Sequence, residues 1–152
     1  MTEIIEKKPE KIEKKPEALS LIQAELDFAR FCAAWRIDLD EETMSEQLHE
    51  DFENSKRKII NAFRRGDALL NEKDQIVYTL YKPFPNLTEV ICRRPTGAHF
   101  EKMDGIGRYK EVRKMNNFFA AALGIVPGFL SKMDGIDVLF IQKVYLLFMN
   151  FA

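Results

Sequence analysis

Between Val138 and Ala152 only Gln142, Lys143 and Asn150 are polar, and this stretch constrains the fold more than any other. Phe140, Tyr145, Leu146, Leu147, Phe148, Met149 and Phe151 cover nearly the whole circumference of a helix. A surface helix needs only one apolar stripe. A helix that is apolar all round is either the central helix of its own domain or a contact for another chain. Both solutions stay open on sequence alone. Each large apolar side chain removed from water stabilises by about 1.5–3 kcal/mol, so even three left outside the chain's own core contribute several kcal/mol to an interface. Phe140, Tyr145, Phe148, Met149 and Phe151 are therefore the candidate partner-binding or self-association face. On that reading, replacing Phe148 and Phe151 with Ser leaves the strands folded and abolishes association. Unfolding would instead mark the helix as core.

The segments before it read as an α+β chain. Residues 1–17 hold "IEKKPE" twice, with proline every seventh residue and dense mixed charge. Proline breaks a helix, and such a segment buries too little surface to offset its ordering, so a disordered charged tail is expected. From residue 18 the pattern becomes helical. Leu19, Ile22, Leu26, Ala29 and Ala33 recur at spacings of three and four, with Phe28, Cys32 and Trp35 widening the stripe. A second helix, capped by Asp40 or Thr43, carries Met44, Leu48, Phe52, Ile59 and Phe63 on one face. Arg64 and Arg65 suit its last turn, and Gly66 stops it. Residues 18–66 thus form a helical hairpin.

The period then switches to two. Residues 68–70 and 75–81 read as strands joined by a tight polar turn, with Pro83 and Pro85 ending the second. A third strand starts at Leu87, giving a small three-stranded antiparallel meander. Thr96 caps a short helix, and a longer one follows with Tyr109, Val112, Met115, Phe118, Phe119 and Leu123 inward, closed by Gly124. Pro127 opens another short helix, and Asp137 caps the last. Residues 67–152 are therefore expected to be an α+β domain ending in a helical cluster.

"KMDGI" occurs at 102–106 and again at 132–136. A calcium loop needs several acids at alternating positions and a closing bidentate acid, which neither flank supplies. Both copies fall between predicted helices, so they read as punctuation. Met belongs to the last buried turn, Gly to a left-handed C-cap and Ile to an apolar cover.

No catalytic constellation emerges. His49 and His99 stand alone in separate elements, and a metal site needs three or four converging ligands. Phosphate-cradling and acyl-transfer signatures are absent from the sequence. Neither cofactor nor metal is expected. Cys32 and Cys92 read as buried free thiols of a reducing compartment. Three basic clusters could form a nucleic-acid footprint: Lys56, Arg57, Lys58, Arg64 and Arg65; Arg93 and Arg94; Arg108, Lys110, Arg113 and Lys114. Acids are interspersed and the formal net charge is −1, so solvated helix faces are the simpler reading. A soluble intracellular protein, with no signal peptide or membrane span, is expected.

Residues 75–152 resemble the tail assembly chaperones of Mu-like and related contractile-tailed phages. Arg94, Pro95 and Thr96 match a strand-ending signature of that family. Leu123, Val126, Pro127, Leu130, Met133 and Asp134 match the pattern of a later helical pair. The resemblance implies a non-catalytic protein of the bacterial host's cytoplasm. It would bind the long, helical tape measure protein, keep it soluble and help subunits of the tail tube protein assemble around it. A homo-oligomer is expected. Residues 1–66 lie outside the match. The alternatives are a nucleic-acid-binding regulator using the basic clusters and an adaptor retained in the virion.

Overall fold

The computed structural model describes residues 18–40, 42–103 and 111–152. The expected tail with its "IEKKPE" repeat, the end of the first "KMDGI", and Gly107, Arg108, Tyr109 and Lys110 lie outside those residues. The described order is α1 (Leu21–Trp35), α2 (Glu46–Arg65), β1 (Ala68–Leu70), β2 (Ile76–Phe84), β3 (Leu87–Cys92), α3 (Gly97–Glu101), α4 (Glu111–Leu123), α5 (Pro127–Lys132) and α6 (Gly135–Phe151). This is the α+β arrangement of helical hairpin, antiparallel meander and C-terminal helical cluster that the sequence pattern predicts.

The sheet runs β1-β2-β3, every neighbour antiparallel. Asn71 builds the first turn, its side-chain oxygen accepting from Lys73 N at 3.0 Å and Gln75 N at 2.9 Å. Ile76, Tyr78 and Leu80 face the core at alternating positions, as period-two patterning requires. Contrary to expectation, Pro83 does not end β2, which continues to Phe84 and pairs it with Leu87. The β2–β3 register is irregular between Thr79 and Phe84, and a proline without a donor is tolerated at such a break.

The hairpin and the rest of the chain share one continuous core. Helix α6 packs along α2 and against β2. Phe52 meets Phe151 edge-on at 5.4 Å, and Trp35 lies 4.5 Å from Phe31 and 5.9 Å from Tyr145. Tyr78 stacks on Phe140 at 4.1 Å. The backbone closes the same circuit, since Asp38 N donates to Phe151 O at 3.2 Å. The boundary near residue 66 is therefore a change of pattern inside one packed unit.

Four local expectations are corrected. On α1 the buried face is Ala24, Phe28, Phe31 and Trp35, while Ile22 is 72% exposed and Leu26 59% exposed. Two apolar stripes of equal period lie on opposite sides of that helix. The aromatic one wins because each aromatic ring buries about 150–250 Å², more than an aliphatic or Ala position offers. Helix α2 is capped by Ser45, whose hydroxyl accepts from Leu48 N at 3.2 Å, and Met44 stays in the preceding loop. On α4, Phe118, Phe119 and Leu123 are buried as expected, but Val112 points outward. The second "KMDGI" separates two helices by a different device. Asp134 caps α6 by accepting from Ile136 N at 2.9 Å, Gly135 is already helical, and Ile136 is exposed. Among the described residues the left-handed glycines are Gly66 and Gly124.

Because α6 starts before Asp137, that residue is free for another task. Its buried carboxylate accepts the Tyr78 hydroxyl at 2.7 Å, Tyr81 N at 2.8 Å and Lys82 N at 3.2 Å. Tyr81 and Lys82 lie where the β2–β3 register breaks, so one side chain satisfies amides in the irregular stretch. Asp137 thus clamps α6 onto the sheet.

Candidate functional site

The circumference of α6 is divided unequally. Phe140, Tyr145 and Phe151 are buried in the chain's own core, with Tyr145 fully enclosed between Trp35 and the α4 rings Phe118 and Phe119. No partner reaches these three while the fold is intact, which corrects their assignment to a binding face. Phe148 is half-buried, edge-on to Trp35 at 6.1 Å. Of the five expected residues, Met149 is openly accessible at 43% exposure.

What remains outside is a second, narrower stripe. Ile136 and Leu139 are exposed, Leu139 by 52%, and Leu146 is half-buried. Leu139, Gln142, Leu146 and Met149 follow spacings of three, four and three, the seam of a helix that meets another helix lengthwise. Lys143 flanks that seam, half-buried. The all-round apolar composition hid this seam in the sequence, because no polar face marked which side was turned out.

At the C-terminal end of the seam lies an open cleft of about 580 Å³ lined by Trp35, Arg36, Arg94, Phe100, Phe148 and Met149. The helix end of α1 makes its wall: Arg36 adopts a left-handed conformation at φ 59° and closes the helix, and Arg94 Nη1 donates to Ala34 O at 2.9 Å. Aromatic surface flanked by two guanidinium groups suits an apolar segment carrying a carboxylate. Arg36 carries no motif, and periodicity alone gave no sign of it.

No family model matches the chain, and no curated protein or solved structure does either.

The positions that carry the phage-chaperone resemblance act in the fold as caps and core. Pro95 is buried, Thr96 precedes α3 and its N–H donates to His99 Nδ1 at 3.1 Å. Leu123, Leu130 and Met133 are buried, Pro127 opens α5, and Asp134 caps α6. Val126 is exposed at the N-cap of α5.

Several of the basic side chains make contacts within the chain, two of them ion pairs. Arg93 donates to Leu123 O at the end of α4, Arg94 to Ala34 O, Arg57 to Asn54 at 2.7 Å, and Arg65 pairs with Asp67 at 2.8 Å. Lys114 lies 3.7 Å from Glu111. Exposed lysines and arginines on the outer side of α2 remain, beside an acidic first half of the same helix.

Among the described residues no group of three or more His, Cys, Asp or Glu could hold a metal ion. Asp137 is enclosed and its oxygens already accept three hydrogen bonds. Cys32 and Cys92 are free thiols, both pushed up to about 12 by burial and so protonated at neutral pH. Burial also raises Tyr145, and burial together with the Asp137 bond raises Tyr78. His49 is exposed on α2. Among the described residues no helix is long and apolar enough to cross a membrane.

Proposed function

We propose that this chain acts by holding another polypeptide, as a tail assembly chaperone for a phage or prophage tape measure protein, without chemistry of its own. The observation that carries the reading is the outward seam of α6. Leu139, Leu146 and Met149 present apolar surface along a helix whose other side is locked into the core by Phe140, Tyr145 and Phe151. A rigid helix with an exposed seam is suited to another amphipathic helix laid along it. A tape measure protein is a long succession of such helices, prone to aggregate before tube subunits surround it. The resemblance over residues 75–152 points to this partner, and the exposed seam is suited to holding it. The tail tube protein is the second partner on this reading, and the site of action is the bacterial host's cytoplasm.

The test is co-expression with a long helical tape measure protein, chosen from genes neighbouring this chain's own. The chain should move that protein into the soluble fraction and co-purify with it. Leu139→Asp together with Met149→Asp should abolish both effects while the melting temperature stays close to that of the parent. A tape measure protein that is equally insoluble with and without the chain removes the reading.

A further inference from the structure

Helix α1 carries an apolar line that its own fold does not use. Ile22, Leu26, Ala29 and Ala33, at spacings of four, three and four, are all exposed and lie opposite the buried Phe28, Phe31 and Trp35. Solvent-facing positions of a helix are ordinarily polar, and here polar residues flank the line instead: Gln23 and Arg30 on one side, Glu25 on the other. An apolar centre with a polar rim is the layout of an interface.

We infer that this line is the seam of an antiparallel homodimer in which α1 pairs with α1 of a second copy. The order of sizes argues for a copy over a foreign chain. The two large residues come first and the two small ones last. Turning a second α1 end over end about the point between Asp27 and Phe28 places Ile22 opposite Ala33 of the copy and Leu26 opposite Ala29. Every large side chain then meets a small one, four times over, so the helices approach closely without voids or overlap. Side-by-side parallel pairing would oppose Ile22 with Ile22 and Ala33 with Ala33, overfilling one end and leaving a gap at the other. A pattern that is its own complement under a two-fold axis is what an isologous contact requires.

The surface is modest. A helix of 15 residues is about 22 Å long, so the seam alone falls short of the ~800 Å² per partner of a standard interface. The dimer is accordingly weak and reversible, populated at micromolar concentration and above. It stands whether or not the chaperone reading does.

Sedimentation equilibrium of the full chain across the micromolar range gives the first readout, with a monomer–dimer equilibrium expected. Leu26→Ala should weaken it about tenfold by opening a void, and Ala29→Leu by a similar factor through overlap. The double variant Leu26→Ala with Ala29→Leu restores large-against-small pairing and should return most of the affinity. All of these positions face solvent in the monomer, so melting temperatures of dilute samples should not move. Orientation is read by disulfide trapping in a Cys32→Ser background. Ile22→Cys chains mixed with Ala33→Cys chains should cross-link, and neither should cross-link alone. A chain that stays monomeric throughout, as it would if its own N-terminal residues or only a foreign protein covered the line, overturns the proposal. So does a double variant no better than the singles, or self-linking of Ile22→Cys.

Discussion

The Tyr78 hydroxyl donates to the Asp137 carboxylate at 2.7 Å across 59 residues of sequence, inside the core and beside the stacked Tyr78–Phe140 rings. This bond and the two amides of Tyr81 and Lys82 fix the first turn of α6 on the sheet. Removing the carboxylate leaves three buried or half-buried donors unmatched. Asp137→Ala should destabilise by about 3–5 kcal/mol, and Tyr78→Phe, which removes one donor, by about 1.5–3 kcal/mol. Urea denaturation at neutral pH measures both. Wild-type stability in Asp137→Ala would show that the clamp carries no weight.

Ser55 interrupts the buried face of α2, and its hydroxyl, fully enclosed, has no hydrogen-bond partner among the described residues. The group pays desolvation with no return. Ser55→Ala should raise stability by about 1 kcal/mol, read as a higher urea midpoint at unchanged slope. A loss of more than that would mean the hydroxyl finds a partner in solution.

The two sides of α6 should separate cleanly in stability. Phe151 packs on Phe52 at 5.4 Å, so Phe151→Ala should cost about 3–5 kcal/mol. Leu139 faces solvent, so Leu139→Ser should stay within about 0.5 kcal/mol of the parent. Thermal melts of the two variants side by side provide the comparison. Replacing Phe148 and Phe151 together with Ser is now expected to unfold the chain, contrary to the expectation from sequence.

Alkaline conditions should unfold the protein progressively. Cys32 and Cys92, each with an ordinary value of 9.0, are pushed up to about 12 in the fold, and Tyr78 and Tyr145 are raised as well. The unfolded chain therefore releases these protons first. Their contribution is complete below pH 9.0 and is lost as pH rises through the window from there to about 12. Urea midpoints followed from neutral pH upward should fall through that window, and the fall should be shallower in Cys92→Ala. A midpoint independent of pH would contradict the burial of these groups.

The helical hairpin, the meander and the later helices were legible because their signals are local: period, caps and turn residues. Gly66 ends α2 in the left-handed region as read, and β2 keeps the expected period of two, which in the fold puts Ile76, Tyr78 and Leu80 inward. What failed was a choice between local solutions that only packing decides. In α1 the aliphatic line and the aromatic line have the same period, so spacing could not say which one the core takes. In α6 the abundance of apolar residues left no polar face to orient it. Asp137 looked like a cap because acids near helix starts usually are, and its true partners stand more than fifty residues away on β2. Nothing local announces a bond of that reach. The cleft beside Trp35 escaped for a similar reason, since Arg36 and Arg94 are distant in sequence and meet through the end of α1.

The bond from Asp38 N to Phe151 O joins the exit of the first described helix to the last turn of the last one. During synthesis on the ribosome the α1–α2 pair emerges long before its lid exists. Phe52 and Trp35 must wait, bare to solvent, until α6 clears the exit tunnel and lies down over them. Closure of this core is thus postponed until α6 is made, and translation that stalls before Phe151 leaves those rings bare.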